Sequence, residues 1–312
     1  MTGTHAEPPQ RLQHLLTLAG LPQSTLVGLL ERAAELRVPP GESVRRHDLL
    51  DGKTVVNLFF EPSTRTRASF ELAARRLGAE VLTLDMAFSS SVKGESPLDT
   101  FYTLQAMNTD LFIVRHREPG VPQTLAEHAL PQVHVVSAGE AHVSHPTQGL
   151  LDVFTIRRHK KNFDGLAVAI IGDIRHSRVA RSAVQALRTL GTRDIRYAGP
   201  AELLPEDLDG ERFTNPDKAI AGADVVMMLR IQKERMQAGL FPDEHDYFRR
   251  YGLDAARLKL AKRDAIVMHP GPMNRGVEIA PEVADGPQSV IREQVTNGVA
   301  VRMAVLAMLL QR

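Results

Sequence analysis

Five consecutive residues, Ser63-Thr64-Arg65-Thr66-Arg67, set three hydroxyls and two guanidiniums side by side. Before them runs Thr54 to Phe60, short and apolar enough for a buried strand; after them Phe70, Ala73, Ala74 and Leu77 recur at helical spacing. Glu61 and Pro62 make the turn between the two. At such a strand-to-helix corner the first N–H groups of the helix lack partners, and the aligned peptide dipoles favour negative charge. Hydroxyls alone would read as helix caps. Joined by forked, permanently charged guanidiniums, they read as a nest for phosphate.

Further donors stand at the ends of other expected strands. DLFIVRH delivers Arg115 where a buried strand should stop, so a charged partner is expected there; His116 beside it is a boundary residue. SAGEAHVSHPTQGLLD holds His142 and His145, but no HExxH spacing and no evident third ligand, so no metal site is expected. His145 and Gln148 read instead as hydrogen-bond donors at a helix opening, with Pro146 in the first helical position. The loop SSSVKGES (Ser89 to Ser96) carries a single lysine, Lys93, and by itself reads equally as surface or as site.

In the second half, VAIIGDIRHSRV places Arg178 just beyond a strand. Gly172 is followed by Asp and Ile, which breaks the G-x-G-x-x-G turn that admits a pyrophosphate, so a dinucleotide is not expected and a smaller anion is. Arg230 and Gln232 follow the next strand two residues apart, on one face of an extended segment. MHPGPMNRG closes the last strand with two prolines and two glycines, a rigid turn suited to presenting backbone carbonyls to an amide or amine.

The elements that must hold these groups alternate along the chain. Strands are expected at 54–60, 80–84, 110–116 and from 134, then at 166–173, 194–200, 223–229 and 264–272. Helices are expected between them, beginning with one that ends near Leu36 and is capped by Ser24. That alternation predicts an α/β fold: two domains, each a mostly parallel sheet flanked by helices. The first domain would span 1–150, completed by an amphipathic terminal helix over 292–312, and the second 151–291. The 312 residues suffice for two cores. With thirty-eight basic against thirty-seven acidic side chains and no run of like charge, neither a nucleic-acid nor a membrane-surface partner is expected. There is no cysteine, hence no disulfide and no thiol nucleophile; no secretory leader or membrane span is read, and a cytoplasmic location is the expectation. Without a nucleophile elbow or a carboxylate cage, the reaction left is direct transfer driven by placement and charge stabilisation.

FFEPSTRTRASFE, the KGE loop, VRH, HPTQ, GD…R, RIQKER and HPGPMNRGVEI occur in an order that resembles the aspartate carbamoyltransferase catalytic chains over nearly the whole length. STRTR alone marks only the wider carbamoyltransferase superfamily, which includes the ornithine enzymes. The ornithine branch carries cysteine in an HCLP segment; here residues 269–272 are HPGP, and Arg230 with Gln232 resembles the aspartate branch.

The resemblance implies the following roles. Ser63, Thr64, Arg65 and Thr66 would hold the phosphate of carbamoyl phosphate. Thr66, Arg115 and His145 would polarise its carbonyl, and Gln148 with the backbone of 270–272 would orient its amino group. Arg178, Arg230 and Gln232, with Gly271 and Pro272, would bind L-aspartate. Ser89 and Lys93 would arrive from a neighbouring subunit of a homotrimer. Glu61 would reach Arg178 and Arg235 when a cleft between the domains, joined by long helices, closes. The catalytic set would be Arg65, Thr66, Arg115, His145 and Lys93, with no metal or cofactor. Association with dihydroorotase-type or regulatory chains is a further possibility of the family. Gly271 departs from members that carry leucine there. The competing expectations are a different amino acid acceptor, such as ornithine, and a phosphometabolite-binding protein without turnover.

Overall fold

The computed structural model describes residues 12–86, 95–231 and 243–311. They form two α/β units, each a parallel sheet flanked by helices. The first takes the chain up to Phe154 together with the residues from Thr296, and the second is the continuous stretch Thr155–Val295.

In the first unit, helix α1 (Gln23–Leu36) precedes β1 (Thr54–Phe59), α2 (Thr64–Arg76), β2 (Glu80–Asp85), α3 (Pro97–Gln105), β3 (Leu111–His116), α4 (Val121–Glu127) and β4 (His134–Glu140). The strands lie in the order β2-β1-β3-β4, all parallel. Val55, Val56, Leu58 and Phe59 are buried on both faces rather than alternately, as a covered parallel strand requires, and the one polar residue among them, Asn57, is buried too and donates to Thr83 Oγ1 at 3.1 Å. Phe70, Ala73, Ala74 and Leu77 form the buried side of α2, as their spacing predicts. Helix α1 departs from expectation at its start. Pro22, not Ser24, is the cap residue, and its carbonyl accepts from the Thr25 and Leu26 N–H groups at 3.1 and 3.2 Å.

Helix α5 (Pro146–Lys160) carries the chain into the second unit, where β5 (Ala167–Ile171), α6 (Arg178–Thr189), β6 (Asp194–Ala198), β7 (Glu211–Phe213), α7 (Pro216–Ile220) and β8 (Val225–Met228) follow. Helices α8 (Glu244–Tyr251) and α9 (Ala255–Leu258), strand β9 (Ile266–Met268) and helix α10 (Pro281–Ala284) complete it. The sheet order is β7-β6-β5-β8-β9, again parallel throughout. Helix α11 (Ile291–Leu310) returns the chain to the first unit. The expected amphipathic stripe is absent from its second half: residues 300–307 are buried on every side, and the one charged side chain among them, Arg302, is buried too. No helix of the described residues is long and apolar enough to cross a membrane.

Each sheet is pinned at the amino end of its central strands by the same device. In the first unit Asp110 accepts from the Thr54 N–H at 2.9 Å and from Lys53 Nζ at 2.7 Å. In the second, Asp224 accepts from the Ala167 N–H at 3.0 Å and from Lys262 Nζ at 2.8 and 2.9 Å. A carboxylate at the foot of one strand thus fixes the first peptide of its neighbour. The opposite, carboxyl edge of each sheet is thereby held in register for binding residues.

Candidate active site

Because β1, β3 and β4 are parallel, their carboxyl ends share one edge of the first sheet, and the loops leaving them carry Ser63 to Arg67, Arg115, and His145 with Gln148. Ser63 is the residue preceding α2, yet its hydroxyl makes no cap bond, and the first turn of α2 holds no acid. The simple capping role is therefore not the one Ser63 plays. Thr64 and Arg65 are exposed, while Thr66 is buried. A 13-residue helix offers its first N–H groups and dipole to an anion at that point.

Arg115 has the charged partner its position called for. Its Nη2 lies 2.7 Å from Glu61 Oε1, its Nη1 donates to the Ala138 carbonyl at 3.0 Å, and its own carbonyl accepts from the Phe60 N–H at 2.9 Å. The guanidinium is thus braced between the turn after β1 and strand β4, with a side chain only 11% exposed. Glu61, expected to reach Arg178 and Arg235, makes this ion pair inside its own unit.

His145 is buried at the opening of α5, and its carbonyl accepts from the Gln148 and Gly149 N–H groups at 2.9 and 3.1 Å. Gln148 donates one Nε2 hydrogen to Asp152 Oδ1 at 3.1 Å, which fixes the amide and leaves its second N–H and its oxygen, an acceptor as well as the expected donor. His116 is a structural neighbour: its Nδ1 accepts from the Glu118 N–H at 2.9 Å and its ring meets Phe60 edge-on at 5.0 Å. His142 is exposed, and no group of three or more metal-ligating side chains occurs among the described residues.

Arg302 was not singled out by sequence reasoning, although an arginine inside VAVRMAVLAMLL is itself a signal. It donates from Nη1 to the Gly298 carbonyl at 3.0 Å and lies 5.0 Å above the Phe70 ring of α2. Burial pulls its pKa down to about 10; Asp152 opposes that shift and Arg115 adds to it. The buried cation therefore shares its electrostatic neighbourhood with Asp152 and Arg115. Arg302→Met is expected to hold or raise Tm, because apolar replacements of a buried charge are often neutral or stabilising by about 1–4 kcal/mol. A melt lowered by several degrees would instead assign the guanidinium a stabilising role.

The second unit gathers its expected residues in the same way. Strands β5, β8 and β9 are neighbours, so Arg178, Arg230 and the 269–272 turn leave one edge of that sheet. Arg178 opens α6, whose cap Ser177 accepts from the Ala180 N–H at 3.1 Å. Asp173, buried, accepts from His176 Nδ1 at 2.8 Å and fixes the loop ahead of it. Gly172 has φ +127°, and a Cβ there would stand 3.0 Å from the Leu229 carbonyl and 3.4 Å from the Tyr247 hydroxyl. A larger residue would push apart the strand ends that carry Arg178 and Arg230. Arg230 is exposed, and Gly271 and Pro272 are joined by a cis peptide. Ser89, Lys93, Gln232 and Arg235 lie outside the described residues.

Each of these parallel α/β units carries arginines at the carboxyl edge of its sheet, the first with hydroxyls beside them, and comparison with known proteins shows the family to which such a pair belongs. Residues 13–158 match the aspartate/ornithine carbamoyltransferase carbamoyl-P binding domain, and residues 164–309 match the Asp/Orn binding domain of the same family. Aspartate transcarbamoylase from Trypanosoma cruzi, in complex with carbamoyl aspartate and phosphate, is 29% identical with a TM-score of 0.85, covering 97% of both chains. Ornithine carbamoyltransferase from Pyrococcus furiosus is 30% identical with a TM-score of 0.84, covering 96% of this chain and 97% of the other. The Thermus thermophilus ornithine enzyme is 27% identical with a TM-score of 0.84, over 96% and 99%. This chain belongs to the aspartate/ornithine carbamoyltransferase family.

Proposed function

We propose that this protein transfers the carbamoyl group of carbamoyl phosphate to the amino group of L-aspartate, giving N-carbamoyl-L-aspartate and phosphate, as in the committed step of pyrimidine synthesis. The observation that carries the choice of acceptor is the pair of guanidiniums, Arg178 and Arg230, leaving adjacent strands β5 and β8 beside a cysteine-free HPGP turn. Two such forks suit the two carboxylates of a dicarboxylic amino acid; a diamino acid would want acidic contacts there.

In this reading the first unit is the carbamoyl-phosphate domain and the second the aspartate domain. Ser63, Thr64, Arg65 and Thr66, with the first N–H groups of α2, bind the phosphate. Arg115, His145 and Thr66 donate to the carbonyl oxygen, which gains negative charge as the deprotonated amine attacks. Gln148, its Nε2 held by Asp152, accepts from the carbamoyl amino group through its oxygen. The carbon–nitrogen bond forms, the carbon–oxygen bond to phosphate breaks, and the departing phosphate is the nearest base for the ammonium proton. Gln232 joins Arg178 and Arg230 on the acceptor. Ser89 and Lys93 complete the pocket of a neighbouring subunit in a homotrimer, and the reaction needs no cofactor.

The alternative acceptor is ornithine, favoured by the comparable likeness to the two ornithine enzymes. Incubation with carbamoyl phosphate and either aspartate or ornithine, with phosphate release and carbamoylated product both measured, separates the two. Product with aspartate alone is expected; product with ornithine alone would overturn the assignment, and phosphate-competitive binding without product would point to a binding protein.

A further inference from the structure

The turn that leaves β9 has an unusual donor balance. Pro270 and Pro272 have no N–H, and the single N–H between them, that of Gly271, is turned inward to His269 Nδ1 at 2.8 Å. Among the described residues no hydrogen bond occupies the carbonyls of Pro270, Gly271 or Pro272. These residues are partly or fully exposed. The surface they offer therefore contains acceptors and no backbone donor. Such a surface recognises N–H groups and disfavours carboxylate or phosphate oxygens.

What holds the turn this way is a pair of side chains that are 0% exposed, His269 and Glu278. Accepting at Nδ1 puts the ring proton of neutral His269 on Nε2, which donates to Glu278 Oε1 at 3.1 Å. The same oxygen accepts from the Asn274 N–H at 2.6 Å, and the His269 N–H is taken by Gln294 Oε1 at 3.0 Å. Strand end, turn and the chain beyond the turn are tied to one buried link. The other oxygen, Glu278 Oε2, is buried without a hydrogen-bond partner among the described residues. Burying a carboxylate oxygen with no protein partner is costly, and a turn that only had to reverse the chain would not need it.

We infer that His269 and Glu278 are positioning residues: they take the Gly271 N–H inward and so make the 270–272 turn an acceptor-only cradle for the amino groups of the substrates. Glu278 sets the histidine tautomer, and the histidine sets the peptide. The inference deepens the proposed transfer reaction and rests on it for the identity of those amino groups.

Two variants separate the parts. His269→Phe fills the space but cannot accept from Gly271. His269→Asn can, because an asparagine oxygen accepts from the N–H two residues on, but it loses the reach to Glu278. His269→Phe is expected to raise KM for carbamoyl phosphate and for the amino acid about tenfold or more, each lost hydrogen bond to a charged or polar group being of that order. Inorganic phosphate, which has no N–H, should inhibit it as well as it inhibits the wild type. His269→Asn should recover most of the loss. Unchanged KM values in His269→Phe, or an equal loss of phosphate inhibition, would overturn the inference.

Amide exchange of the 268–276 segment, followed by mass spectrometry on the free protein, reads the turn independently of turnover. The Gly271 N–H should exchange faster in His269→Phe and stay protected in His269→Asn, while the Asn274 N–H, held by Glu278, stays protected in both. Should His269→Phe not fold, Glu278→Ala, which removes the Nε2 acceptor that sets the histidine tautomer, takes its place and should likewise speed exchange at Gly271, and unaltered Gly271 exchange sinks the inference. A wild type that ignores aspartate would defeat the proposed function while leaving the exchange result to judge the turn.

Discussion

Arg115→Ala is expected to lower kcat by about 10³-fold while raising KM for carbamoyl phosphate much less, since one oxyanion donor is worth about 10²–10³ in rate. The extra loss has a structural source. Arg115 is braced between Glu61 at 2.7 Å and the Ala138 carbonyl at 3.0 Å, so its removal leaves both oxygens without the cation that joined them. Arg115→Lys should recover little, because an ammonium cannot reach both braces and still present a donor to substrate. Steady-state kinetics over both substrates provide the check. If kcat is preserved and only KM rises, Arg115 binds the ground state and the assignment to the transition state is wrong. A cycle pairing Arg115→Ala with Glu61→Gln should be strongly non-additive, as two residues acting through one bond must be.

Asp224→Ala should cause the largest loss of stability, about 3–5 kcal/mol, the cost of breaking a buried charge network from one side. Asp224 is only 6% exposed and secures the Ala167 N–H, at 3.0 Å, at the foot of β5. The Lys262 pair at 2.8 Å contributes less than its length suggests, since that lysine is 48% exposed and screened by water. Lys160 matters more: its side chain is 6% exposed and lies 3.9 Å from Asp224, with Asp264 as its closer partner at 2.7 Å. Thermal melts should show Tm falling by roughly 10 °C, given about 2–4 °C per kcal/mol at this chain size. Asp224→Asn, which keeps an acceptor for the Ala167 N–H, should lose about half as much. A shift of under 2 °C in Asp224→Ala would mean, on the same scale, that the strand foot is held by its ladder alone.

The parts of the molecule that sequence reveals are those whose cause is local. The donor-rich corner between β1 and α2 was legible because hydroxyls and guanidiniums, a strand and a helix start adjoin within Thr54 to Leu77. Arg115 and the opening of α5 were legible because a charge or a proline interrupts an apolar run. The clamps at Asp110 and Asp224 were not, because each joins residues more than fifty positions apart and no short pattern encodes them. Strand β7 escaped for another reason: three residues, Glu211 to Phe213, two of them charged, carry no strand signal, and only pairing with β6 makes them one. Ser24 misled because a hydroxyl near a helix start is normally its cap, whereas Pro22 set the boundary two residues earlier. The terminal helix looked amphipathic because Asn297 and Arg302 are polar, but both are buried.

The return of α11 to the first unit has a consequence for how the protein is made. The second unit is continuous, so a chain emerging from the ribosome has everything needed to close it once residue 295 is free. The first unit begins earlier but lacks residues 296–310, and with them the apolar rod that includes Val301, Val305 and Leu306, until the whole second unit has been translated. The domain translated first is therefore the one finished last. In the interval its uncovered apolar face is a natural target for a chaperone, and a ribosome stalled in the last turns of α11 should yield a nascent chain with a protease-resistant second half and a digestible first half.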